Sequence, residues 1–204
     1  PKGELGIYPL YLEQQSFDSK EQFDLRIAFI DNLDSFSHNI VHALQTMGCD
    51  VEIMDGRGDV VEFNHDAVVI GPGPGRPEIS PLSMHAAKLD LPVLGICLGH
   101  QAIGLTRGMQ LIESPLGPVH GVPSPVIANG QGLLEDGEHV MTRYNSLVLT
   151  GDGDISITGT DETGTLPMEI RDEETYGVQF HPESIGSEGG MEMLVEFLRR
   201  VAHC

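Results

Sequence analysis

The chain has 204 residues, 40% of them hydrophobic and 21% charged, which suits one domain with a full core and leaves room for a short appendage. Eleven Lys and Arg against 31 Asp and Glu give a formal charge of −20, which opposes binding to nucleic acid or an anionic membrane because phosphate contacts need clustered cations. No apolar run approaches the roughly 18 residues of a membrane-spanning helix, and the opening PKGELGIYPLYLEQQ lacks the basic start and continuous apolar core of a secretory signal.

Two readings of the acidity stand: a well-solvated surface, or an acidic face for a basic partner. The three cysteines, Cys49, Cys97 and Cys204, are odd in number and widely spaced. That argues against a disulfide framework or a zinc cluster and suits a reducing cytoplasm, where one of them is free to be a working thiol.

Residues 1–24 mix Pro, Gly, Gln and Ser with scattered apolar residues and sustain no helical period. They read as an N-terminal extension or linker, with the domain proper at 25–204. The chain opens on Pro1, so either an initiator Met was removed or the piece belongs to a longer polypeptide. In the latter case residues 1–24 could lead from another domain.

Leu25–Ile30 reads as a buried strand ending in the polar turn Asp31-Asn32-Leu33-Asp34. A helix is expected from Ser35 to about Met47, stopped by Gly48, with Phe36, Ile40, Leu44 and Met47 as its core stripe. His38 and His42 lie on the opposite side. Their i, i+4 spacing suits a metal, but no third ligand accompanies them, so a solvated face is the better reading. Cys49–Met54 and Ala67–Ile70 are the next strands, the latter running into Gly71-Pro72-Gly73-Pro74-Gly75. A helix opens near Pro81, Pro92–Ile96 is a strand, and Leu98–Arg107 a helix. Such strand–helix alternation predicts an α/β fold with a mostly parallel sheet covered on both faces. Beyond residue 108 come short extended segments at 109–113, 122–128, 139–149, 154–160, 166–171 and 176–180, which should add antiparallel strands. A helix from about residue 190, with Met191, Leu194, Leu198 and Val201 as its stripe, closes the chain.

Three features carry chemistry. Gly95-Ile96-Cys97-Leu98-Gly99-His100-Gln101 runs from an apolar strand into a helix, with Gly two residues either side of the cysteine. That is the pattern of a nucleophile elbow with Cys in place of Ser. The helix N-terminus favours a thiolate, and the Leu98 N–H would point at a developing oxyanion. Alone, the segment equally suits a buried cysteine in a Gly-rich turn. A cysteine nucleophile needs a base and an orienting group. His181-Pro182-Glu183, after the apolar segment 176–180, offers both, because residues at i and i+2 of an extended segment face the same way. Gly71–Gly75 is a stiff loop with exposed N–H groups. It lacks the Lys-Ser/Thr of a P-loop and does not match GxGxxG, leaving an oxyanion or substrate-backbone site, or a plain turn.

The order of these motifs resembles the class I glutamine amidotransferases, most closely the glutaminase components of anthranilate synthase and aminodeoxychorismate synthase. The matching pieces are Asp31 to Phe36, Gly71 to Pro77, Gly95 to Gln101, Arg143-Tyr144-Asn145-Ser146-Leu147, and Gly177 to Ser184. The resemblance implies the family's flavodoxin-like open sheet. It also implies a Cys97–His181–Glu183 triad that hydrolyses L-glutamine through a thioester, with the oxyanion on the N–H groups of Gly73 and Leu98. It places substrate against Gly73, Pro74, Gly75, Gln101, Ser146 and Leu147. No metal or organic cofactor is implied for this half-reaction. Magnesium is expected only on the partner, a chorismate-using synthase subunit or fused domain that receives the ammonia.

Four departures stand out: Asn145 where the family usually has His, His120-Gly121-Val122 where relatives carry His-Gly-Lys, a short stretch from Asp55 to His65, and the extension 1–24. Other readings are the amidotransferase of carbamoyl-phosphate or GMP synthesis, which the opening Asp-Asn-x-Asp-Ser-Phe disfavours, and a catalytically silent regulatory partner, which the intact triad disfavours.

Overall fold

The computed structural model describes residues 21–204, so most of the expected extension lies outside the described residues. Glu21 pairs with Arg199, and Phe23 is buried in the core and donates its N–H to Met47 O at 2.8 Å.

Strands β1 (Arg26–Asp31), β2 (Asp50–Asp55), β3 (Ala67–Ile70), β4 (Val93–Ile96) and β11 (Thr175–Val178) run parallel, in the order β2-β1-β3-β4-β11. The sheet then continues antiparallel through β10 (Pro167–Asp172), β9 (Ser156–Asp161), β6 (Val122–Asn129) and β7 (Asp136–Arg143). Strands β5 (Gln110–Glu113) and β8 (Leu147–Thr150) form a separate antiparallel pair. This is the mixed, mostly parallel α/β sheet expected, with the antiparallel strands in the second half.

The strands alternate between two cores, as a period of two requires. Ile27 and Phe29 of β1 and Ala67 and Val69 of β3 join one cluster, together with α1 (Ser37–Thr46) and α4 (Gly190–Ala202). Ala28, Ile30, Val68 and Ile70 point the other way, to α2 (Pro81–Ala86) and α3 (Leu98–Thr106). Both faces are covered, so the central strands read as continuous apolar runs.

Three expectations are corrected. Helix α1 begins at Ser37, not Ser35. Asp34 takes the Phe36 N–H (2.8 Å), while Asp31 takes the Leu33 N–H (2.9 Å) and the Ser37 hydroxyl (2.7 Å), which holds 33–36 in a turn. Phe36 therefore leaves the core stripe, and Val41 joins Ile40, Leu44 and Met47 in it. The segment 139–149 is two strands, not one. Tyr144, Asn145 and Ser146 break it, and β8 leaves the main sheet for β5. The segment 176–180 stops being a strand at Val178, so His181 and Glu183 lie beyond it.

Register positions the site. Val178 lies beside Ile96 in the β4–β11 pair. Cys97 therefore follows β4, and Gln179 to His181 follow β11, at the same carboxyl edge of the sheet, where ligands of open α/β sheets bind.

Candidate active site

Cys97 joins β4 to α3 with φ 53° and ψ −97°. A side-chain-bearing residue held in this region is strained, and such strain persists only where surroundings enforce it. The two flanking glycines show how. A Cβ on Gly95 would lie 2.4 Å from the Gly99 carbonyl carbon, and one on Gly99 would lie 2.3 Å from Ile70 O. Only bare backbone fits, so the turn closes tightly. The Cys97 N–H donates to Val178 O at 2.8 Å, tying the elbow to β11. Leu98 is the first residue of α3, where an N–H has no acceptor within the helix.

His181 is 1% exposed, and its N–H donates to Thr142 O at 2.9 Å. Its Nδ1 meets Glu183 Oε1 at 2.7 Å. The contact is made across a turn rather than along a strand, with Pro182 between. Tyr144 and Phe36 stand edge-on to the imidazole, centroids 5.0 and 6.0 Å away. Burial opposes the imidazolium, but the Cys97 thiol and the Glu183 carboxylate outweigh it and push the His181 pKa up to about 10.

The other candidates are differently placed. His100, next to the elbow, is fully buried, and burial pulls its pKa down to about 4. It stays neutral and packs against Gly177, where an added Cβ would meet Nδ1 at 3.0 Å. Burial pushes Cys49 up to about 11, the behaviour of an inert core thiol. Cys204 is exposed at the C-terminus. His38 and His42 are exposed on α1. Among the described residues, no group of three or more His, Cys, Asp or Glu could hold a metal ion.

Cys97 opens into a cleft of about 700 Å³. Gly73, Pro74, Gly75, Gln101, Ser146 and Leu147 all line it. Leu98, His181 and Glu183 are not among its lining residues. Gln101 is more committed than a free substrate contact. Its Nε2 donates to Leu147 O (3.2 Å) and to Gln179 Oε1 (3.1 Å), leaving Oε1 as the atom that can meet a ligand.

Sequence reasoning gave Asn32 no role. Asn32 is 4% exposed and braces the Gly71–Gly75 loop. It donates to Gly71 O at 2.9 Å and accepts from Ser80 (2.6 Å) and Ser83 (3.0 Å). A Cβ on Gly73 would fall 2.4 Å from the Asn32 Cβ, so the loop lies directly on this side chain. Its place between two acidic turn residues was the available signal, but nothing local revealed its partner 39 residues on. Asn145, which the sequence marked as a departure from the family's usual His, lines the cleft. It accepts from Arg143 Nε at 3.2 Å and donates to Leu147 O at 3.0 Å, holding the peptide that faces the cleft. Burial lowers the Arg143 pKa from its ordinary value, and Nη2 of this side chain is buried without a hydrogen bond.

A strained cysteine at a strand-to-helix elbow, a buried His–Glu pair beside it and a cleft are the parts that cysteine-nucleophile acyl transfer requires. The class I glutamine amidotransferase model matches residues 28–201, and the chain belongs to that family. Anthranilate synthase component 2 of Azospirillum brasilense is 37% identical over 186 residues, covering 84% of this chain and 94% of that one. Aminodeoxychorismate synthase component 2 of Escherichia coli is 35% identical over 188 residues, covering 85% of this chain and 100% of that one. The bifunctional protein TrpGD of Thermotoga maritima is also 35% identical, with 85% of this chain matching 32% of it. Among solved structures, a glutamine amidotransferase from Thermotoga maritima superposes with a TM-score of 0.63 at 16% identity. That match covers 89% of this chain and 84% of the other, and it shows the shared fold. Among the described residues, no helix is long and apolar enough to cross a membrane.

Proposed function

We propose that residues 25–204 are the glutaminase component of a chorismate-aminating synthase, acting through Cys97, His181 and Glu183. The observation that carries this reading is the buried His181–Glu183 contact at 2.7 Å beside the strained elbow of Cys97. Cys97 Sγ attacks the side-chain amide carbon of L-glutamine. The tetrahedral oxyanion forms against the N–H groups of Leu98 and Gly73, the former free because it opens a helix. His181, held charged by its neighbours, gives a proton to the departing nitrogen, and ammonia leaves. The acyl group is now a thioester on Cys97. His181, neutral after this transfer, takes a proton from water, and the hydroxide equivalent releases glutamate and restores the thiolate–imidazolium pair. Glu183 holds the imidazole by Nδ1 so that Nε2 faces the sulfur.

The walls of the cleft accommodate the amino-acid end of glutamine. Gly73, Pro74, Gly75, Ser146 and Leu147 all line it. Gln101 Oε1 accepts from the substrate's ammonium. The half-reaction needs no metal or organic cofactor on this chain. The ammonia passes to a synthase, as a separate subunit or on the same polypeptide, and that synthase carries the magnesium. The relatives named for anthranilate and aminodeoxychorismate synthase support a chorismate-using partner, and three unpaired cysteines support a cytoplasmic setting.

The decisive experiment measures glutamate release by the chain alone and with chorismate-using synthase subunits, beside labelling by an electrophilic glutamine analogue. Release that rises on adding a synthase, with label on Cys97 and not on Cys49 or Cys204, is the expected result. Equal labelling of all three cysteines, or equal release by wild type and Cys97→Ala, would refute the proposal.

A further inference from the structure

We infer that Gln179 is a catalytic residue of this reaction, its carboxamide N–H holding the Cys97 sulfur in place for attack; the inference rests on the glutaminase reading above. Gln179 follows directly on β11 and is fully buried. Its Nε2 lies 3.6 Å from Cys97 Sγ. Its Oε1 accepts from Gln101 Nε2 at 3.1 Å.

Amide nitrogen and oxygen are assigned from the surrounding hydrogen bonds, and here those bonds permit one arrangement. Leu147 O is a backbone carbonyl and can only accept. The Gln101 atom 3.2 Å from it must therefore be the nitrogen. The same nitrogen faces Gln179, so the Gln179 atom that meets it must be the oxygen. The remaining Gln179 atom, an NH2 group, is left facing the sulfur. The far end is fixed in the same way, because Arg143 can only donate to Asn145, which in turn donates to Leu147 O. A chain of donors thus runs from Gln101 through Gln179 to the nucleophile, each member buried.

The physical consequence differs for thiol and thiolate. An N–H aimed at sulfur in a dry site favours the charged form and fixes its direction. A neutral thiol gains much less. Gln179 thereby adds to the action of His181 from a second side, without carrying charge. A glutamine that merely filled space under the elbow would affect folding but not the ionisation of Cys97.

The test compares wild type with Gln179→Met, which keeps volume and removes the donor. The rate of Cys97 alkylation by iodoacetamide is followed against pH by peptide mass spectrometry, with Cys49 as internal reference. Glutaminase kcat and KM are measured with the synthase bound. In Gln179→Met the alkylation profile should move up by about one pH unit, the size of one lost hydrogen bond to the charged form. kcat should fall about tenfold while KM for glutamine stays within about twofold. An unmoved profile in a folded variant overturns the inference. If Gln179→Met does not fold, the wild type still decides. With glutamine side chains labelled with nitrogen-15, the Gln179 NH2 signal should shift when Cys97 is alkylated, and a stationary signal overturns the contact. Wild-type glutamate release is the separate control. Its absence overturns the glutaminase reading and the inference with it, whereas normal release beside an unmoved Gln179→Met profile overturns the inference alone.

Discussion

At the scale of single residues, the site separates three histidine environments by surroundings alone. His181 gains from Cys97 and Glu183 more than burial takes away, whereas His100 has burial and little to offset it. His38 and His42 meet solvent. In the proposed mechanism His181 is the residue that exchanges a proton with the sulfur. Replacing it by Ala should lower glutamine turnover about 10²–10⁴-fold with KM little changed, the usual contribution of a positioned acid–base. Near-normal steady-state turnover of His181→Ala would remove it from the mechanism. Asn32 acts at one remove. Asn32→Ala would strip partners from Gly71 O and from the hydroxyls of Ser80 and Ser83. The expected cost is about 2 kcal/mol in denaturant unfolding, with KM for glutamine raised as the Gly73 loop loosens.

At the scale of elements, the elbow depends on two helix–strand approaches too close for any side chain. Gly99 rests on the Ile70 carbonyl of β3, and Gly95 rests on Gly99. Gly99→Ala would place its methyl 2.3 Å from that oxygen and force α3 off the sheet. Overpacking of this kind costs about 1–3 kcal/mol or more, and the displacement moves Cys97 with the helix. Loss of glutaminase activity by at least about 100-fold is expected, since ångström-scale misplacement already costs that much. A Gly99→Ala protein with wild-type melting and turnover would contradict this account. The turn before α1 is a second such element. Asp31 and Asp34 delay the helix so that Phe36 flanks Tyr144 and His181 instead of entering the core.

At the scale of the whole molecule, site and stability are linked through protons. The His181 pKa is raised in the folded state, so the native protein keeps a proton that the unfolded chain releases above about 6.5. Its stabilisation is complete below about pH 6.5 and is lost as pH rises towards about 10. His100 is depressed, so below about 6.5 the unfolded chain binds a proton that the native state refuses until about pH 4. Stability from this group falls as the medium becomes more acidic. The difference in melting temperature between wild type and His181→Asn should therefore shrink by several degrees from pH 6.5 to 9, cancelling groups common to both. A difference that is constant or grows with pH would contradict the charged state assigned to His181.

Much of this was legible in the sequence because it depends on local chemistry. Apolar runs of four to six residues, Gly at turns and the period of α4 declared the parallel half and its helices. The Gly-x-Cys-x-Gly and His-Pro-Glu segments offered a candidate nucleophile and base, each of which alone also suited a plain turn or strand end. Their partnership was not local. Eighty-four positions separate Cys97 from His181, and only the β4–β11 register, which sets Val178 beside Ile96, brings them to one edge. The same holds for Gln179, whose amide meets Gln101 and the sulfur only once distant segments are assembled. Phe36 was misread as core because two aspartates compete with the helix for backbone N–H groups, which periodicity does not register. Sequence by itself determined which residue types and turns were present, since propensity, steric bulk and charge are carried by each residue. Tertiary structure alone decided which of them share a dry cleft, since burial and hydrogen-bond direction exist only once distant strands are side by side.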